Sequence, residues 1–208
     1  MEQLERLDGN DREVRLRKAY NSIITGYAAA SLIIALVNIY LGRPYYYLQS
    51  FGTLFILPFL RIVHRLIDMK PAYSLNIVIV CYTFLTYTAG VVLRGYKIIP
   101  FYDKLMHMMA GTLSMMLALP VFYRLKENHT IEKSDFPLAA TFCVFGSVAF
   151  AGVWEIAEYL LSLVAGIDTQ MVQTTGIHDT MQDMIVCTAG ALLFLPFMRD
   201  VYTDDLCG

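Results

Sequence analysis

The chain has 208 residues, of which 57% are hydrophobic and 16% charged, and its mean hydropathy is +0.51. That is more apolar side chain than a soluble domain of this length buries, so the composition excludes an ordinary water-soluble fold and implies an integral membrane protein. The net charge of −2 argues against nucleic acid as a partner and against a polybasic patch for anionic lipid, leaving membrane lipid as the expected surroundings.

The first 19 residues mix acids and bases and lead into a full-length apolar stretch with no small-residue cleavage pattern, which predicts a cytoplasmic lead-in rather than a signal peptide. Six stretches are then long enough to cross a core of about 30 Å as helices. They run over about 20 to 41, 48 to 68, 73 to 94, 101 to 123, 136 to 165 and 177 to 198, and residues 199–208 form a cytoplasmic tail. The second contains Pro58, Arg61, His64 and Arg65, which predicts a short or kinked span whose lower end reaches the interface. Connections are too short for a second domain, so the expectation is one all-α domain over residues 20–198, a polytopic transmembrane helical bundle of about six spans.

Charge distribution orients it. With the N-terminus inside, the cytoplasmic segments hold Arg6, Arg12, Arg15, Arg17, Lys18, Arg61, Arg65, Lys70, Arg124, Lys126, Lys133 and Arg199, against only Arg43, Arg94, Lys97 and Lys104 outside. This asymmetry places both termini in the cytoplasm. Tyr45, Tyr46 and Tyr47 read as an interfacial aromatic belt and Trp154 as a headgroup-level marker. His64 and His129, in basic segments, read as solvated. Cys81, Cys143 and Cys187 lie within spans and Cys207 in the tail; with no CxxC spacing they read as packing thiols.

The last three spans each carry two proton- or metal-competent groups at helical spacing: Asp103 with His107, Glu155 with Glu158, and Asp179 with Asp183. Charge in hydrocarbon costs several kcal/mol and is retained mainly where it functions. At about 1.5 Å of rise per residue, His107 lies about 24 Å from Tyr123, Glu155 about 28 Å from Phe136, and Asp183 about 22 Å from Met198. The three counts agree within a turn and predict one layer near the outer boundary of the hydrocarbon. Along the same helical stripes stand Gly111, Ser114 and Ala118, then Ala151 and Ser147, then Cys187, Gly190 and Ala191. Small residues let membrane helices approach closely, so the acidic faces are expected to point at one another.

Clustered acids repel unless they are protonated or bridged by a cation. The expectation is a divalent cation, Mg, Mn, Fe or Zn, held by Asp103, His107, Glu155 and Asp183, with Glu158 or Asp179 as general base. Proton sharing, interhelical hydrogen bonds, or neutralisation by Lys104 are the competing readings. The polar segment GIDTQMVQTTGI at 166–177 reads either as a lid contributing Gln170, Gln173 and Thr174 or as a solvated turn. His178 reads as an interfacial histidine or as an alternative ligand.

The motifs YDKLMHMMAG at Tyr102 to Gly111, WEIAEYL at Trp154 to Leu160 and GIDTQ…TGIHDTMQD…TAGALL from Gly166 to Leu193 resemble a family of small bacterial inner-membrane proteins typified by YjdF. More distantly, an acid and histidine opening one span and acids opening a later one are similar to VanZ-type envelope proteins. The resemblance implies a multi-helix fold in the bacterial cytoplasmic membrane and no particular reaction.

Three functions follow from the acidic layer. One is a metal-dependent hydrolase or transferase acting at the outer leaflet on a lipid or lipid-linked substrate that arrives laterally. Another is a cation or proton transporter. The spans below the layer, MMLALP, ATFCVF and ALLFLPF, are apolar, so a path would have to use the earlier helices, where Asn38 and Asn76 are the polar candidates. The last is a structural or sensing protein in which a cation staples three helices.

Overall fold

A computed structural model describes residues 2–55, 62, 73–126, 132–166, 168, 170 and 172–204. The fold is a helical membrane bundle, and it resolves into two compact units, residues 1–100 and 101–208. Among the described residues, five helices are long and apolar enough to cross a membrane: Asp11–Tyr40, Tyr73–Val92, Tyr102–Leu125, Phe136–Val164 and His178–Met198. The sixth expected span, 48 to 68, is described to residue 55 and at residue 62 only; Pro58, Arg61, His64 and Arg65 lie outside the described residues, as does His129.

In the first unit, α1 (Glu2–Tyr40) runs from the lead-in through the span without a break. Pro44 opens α2 (Pro44–Gly52), where its fixed φ suits the first helical turn and its missing N–H costs nothing. The helix then tightens into a 3₁₀ turn, Thr53–Phe55. The next span begins as α3 (Tyr73–Thr83) and continues as a nine-residue π-helix, Phe84–Val92. A short helix, α4 (Gly95–Ile98), follows. Tyr27 and Val80 form the apolar contact between α1 and α3, flanked by Tyr20, Ile23, Ile79 and Phe84.

In the second unit, α5 (Tyr102–Leu125), α6 (Phe136–Ala165) and α8 (His178–Asp204) each pack against the other two. A four-residue helix, α7 (Val172–Thr175), lies in the connection before α8. α6 ends at Gly166, whose φ of +65° is the left-handed conformation that terminates helices.

The closest contact in this unit is backbone on backbone. A Cβ added at Gly111 would stand 1.8 Å from the Cys187 carbonyl oxygen, and one at Gly190 would stand 1.9 Å from the Met108 carbonyl oxygen. Only glycine fits at either position, and the Thr112 hydroxyl reinforces the contact by donating to the Gly190 carbonyl at 3.1 Å. α6 joins by a hydroxyl pair, Ser114 and Ser147, whose oxygens are 2.8 Å apart. Between these contacts the core is apolar: Met115, Leu119, Cys143, Cys187, Ala191 and Met198 are nearly inaccessible. The stripes of small residues therefore face inward as the sequence spacing predicts.

At the far end of this unit, the Lys126 ammonium pairs with Asp135 just before α6, and the Glu132 N–H donates to the same carboxylate oxygen at 2.8 Å. Both bonds hold the Asp135 carboxyl below the usual carboxylate range, the lysine contributing most.

Candidate functional site

The first turns of α5 and α8 and the last turns of α6 meet at one end of the three-helix unit. Two helix starts placed side by side bring Asp103, Lys104 and His107 from α5 against Asp179 and Asp183 from α8. The centre of the cluster is a cation the chain itself supplies. Lys104 Nζ donates to Asp179 Oδ1 at 2.6 Å, to Asp183 Oδ1 at 2.7 Å and to Asp103 Oδ2 at 3.1 Å. An ammonium has three donors, so each is assigned to a different carboxylate. The neutralising partner weighed in the sequence as one alternative is thus present.

His107 approaches two of the same carboxylates, Asp103 and Asp183. Its Nε2 stands 3.6 Å from Asp103 Oδ1 and 3.7 Å from Asp183 Oδ1, both beyond a hydrogen bond. Asp103 thereby turns one oxygen to the lysine and the other to the histidine. Asp103, His107 and Asp183 each offer a ligand atom, and these atoms all lie within 4.8 Å of one another. Burial is graded across the group: the side chain of Asp183 is 3% exposed, His107 13% and Asp103 41%, so the cluster opens on the Asp103 side.

The α6 carboxylates divide. Glu155 is buried, as its stripe predicts. It lies outside the group of three ligand atoms and is engaged instead by Gln170, whose Nε2 donates to the Glu155 carbonyl at 3.0 Å and to its Oε2 at 3.2 Å. Glu158, three residues on, is half-buried and accepts from the Trp154 indole N–H at 2.9 Å. Asp179 is tied to Lys104.

Of the 166–177 segment, Gln170 alone among the three proposed lid residues turns inward; Gln173 and Thr174 are exposed. Asp168 accepts from the N–H groups of Val172 at 2.8 Å and Gln173 at 3.0 Å, which folds the segment back. Residues 167, 169 and 171 lie outside the described residues. His178 is exposed and outside the ligand group.

Sequence spacing underweighted Lys104 because stripe reasoning follows residues three or four apart. Lys104 is adjacent to Asp103 and so on a different stripe, but its long flexible stem carries the charge sideways into the cluster. The signal that identifies it is the presence of one lysine among acids at the start of an apolar helix.

No curated protein and no solved structure matches the chain. One family model matches residues 20–203, a range that takes in all three resemblance motifs and every residue of the cluster. On that match, the chain belongs to the DUF2238 family of predicted membrane proteins.

Proposed function

We propose that the protein is a metal-dependent enzyme of the bacterial cytoplasmic membrane, with Asp103, His107 and Asp183 holding one divalent cation at the extracytoplasmic side. The observation that carries this reading is the placement of His107 Nε2 at 3.6 and 3.7 Å from two carboxylate oxygens. Two ligands each about 2.1 Å from one ion stand roughly 3.0–3.4 Å apart, so the two distances from His107 need to contract by only a few tenths of an ångström. Two carboxylates and an imidazole suit Mg, Mn, Fe or Zn.

When bound, such an ion supplies a Lewis acid for an ester or phosphoryl oxygen. Glu155, oriented by Gln170, is the proposed fourth ligand. Glu158, which sits beside exposed Trp154, or Asp179, which is bonded to Lys104 as Asp183 is, is the proposed base. The outward-facing apolar side chains around Glu158, namely Val153, Ile156 and Tyr159, favour a lipid or lipid-linked substrate arriving from the bilayer, and hydrolysis or group transfer as the reaction.

The three bonds made by Lys104 favour a second reading, in which the lysine is the cation that joins α5 to α8 and the cluster is structural. Metal analysis separates the two. Protein purified without added metal should carry about one divalent cation per chain, and Asp183→Ala and His107→Ala should each lose it. If wild type carries no stoichiometric metal and its thermal midpoint is the same with and without a chelator, the structural reading stands and the enzyme is ruled out.

A further inference from the structure

Asp183 is claimed twice through one atom. Its Oδ1 accepts from Lys104 Nζ at 2.7 Å, and the same Oδ1 is the oxygen that stands 3.7 Å from His107 Nε2. Asp103 has no such conflict, since its Oδ2 faces the lysine at 3.1 Å and its Oδ1 the histidine at 3.6 Å. Asp179 is the opposite case. It takes the shortest of the three lysine bonds, 2.6 Å, and lies outside the group of three ligand atoms. A divalent cation held by Asp103, His107 and Asp183 therefore competes with the Lys104 ammonium at a single oxygen. Two positive centres on one oxygen repel strongly where water is scarce, and the Asp183 side chain is only 3% exposed.

Charge and reach both favour an exchange at that oxygen. The three carboxylates that Lys104 touches exceed its charge by two when all are ionised, which is the charge of one divalent cation. Asp179 stands one helical turn before Asp183 on α8, so an ammonium that leaves Asp183 still has a carboxylate at hand. The lysine side chain is 22% exposed and flexible over its four carbons, which gives it a freedom to shift that Asp183 lacks.

We infer, resting on the metal reading of this site, that Lys104 is an exchangeable counter-ion that sets how readily the site takes a divalent cation: it releases Asp183 Oδ1 to the incoming ion and withdraws onto Asp179. Asp179 then acts without touching the ion, by keeping the charge of the lysine satisfied.

Mn, and then Zn, titrated into the chelator-treated full-length chain in detergent tests the exchange, with affinity as the readout. Lys104→Met should bind the ion more tightly than wild type, by a factor on the order of ten or more. Asp179→Asn should weaken binding by a larger factor in wild type than in the Lys104→Met background, because only wild type has a lysine to accommodate. A wild-type structure with Mn should place Nζ beyond hydrogen-bond distance of Asp183 Oδ1 and still on Asp179, and it decides the matter where Lys104→Met does not fold. Equal affinity of Lys104→Met and wild type, equal factors for Asp179→Asn, or a lysine still on Asp183 beside bound Mn overturns the exchange and leaves the metal reading intact. Binding to Lys104→Met with none to wild type overturns it too, by making the lysine a permanent occupant. If neither protein binds either ion, the metal reading falls and the exchange falls with it.

Discussion

Lys104 decides how the acidic cluster behaves. Its ammonium is saturated by three carboxylates, one of which, Asp183, is almost fully buried. Removing one partner of a buried ion pair leaves the others uncompensated. Lys104→Met should therefore lower stability by about 1–3 kcal/mol in chelator, with millimolar Mg or Mn restoring most of the loss, read as a thermal midpoint in detergent. An unchanged midpoint in chelator would mean that the three bonds contribute nothing net. Lys104→Arg should rescue only in part, since a planar fork does not reach three carboxylates as a rotating point charge does. Most of the site was legible at this scale. Helical spacing put Asp103, His107, Glu155 and Asp183 on inward stripes at one depth, and each is buried or half-buried at the same end of the unit. The lysine and Gln170 were harder to weigh, because a long side chain and a loop residue reach their partners by paths that helical period does not encode.

Helix by helix, the glycines of α5 and α8 are the strictest requirement. A methyl at Gly111 would meet a backbone carbonyl, which cannot rotate aside. Gly111→Ala should cost about 3 kcal/mol or more and abolish the assembled second unit, seen as loss of monodisperse protein. Gly146→Ala, where the nearest atom is the Ala118 Cβ at 3.4 Å, is the tolerated control. The Lys126 and Asp135 pair before α6 gives a pH signature. The folded carboxyl is held below its ordinary value, so its contribution is fully present above about pH 4 and is lost as pH falls through the lower folded value. Between pH 5 and pH 3 the wild-type midpoint should therefore fall more steeply than that of Asp135→Asn; equal slopes would show that the pair is not formed. The π-helix was invisible in the sequence. Nothing in FLTYTAGVV departs from an ordinary apolar span, and the extra residue per turn emerges only from the hydrogen bonds, as at Leu93 and Thr88.

For the whole molecule, composition and hydropathy were enough for the class: five of the six expected spans appear as long apolar helices among the described residues. The division into two units was not legible, because hydrophobic period reports which face of a helix is buried and not which neighbour buries it. Its chemical meaning is clear in the interiors. Among the described residues, the buried polar groups of the first unit are all neutral, while those of the second include Glu155 and Asp183. Within the second unit the glycine contact sets up a mechanical division. α5 and α8 are clamped at van der Waals distance and have no slack. α6 meets its neighbours through side chains, with the Ala118 Cβ at 3.4 Å from a Cβ built at Gly146 and the Met184 Cε at 3.9 Å from one built at Gly152. Any breathing of this bundle therefore belongs to α6, which carries Glu155 and Glu158 toward or away from a cluster whose other members cannot follow.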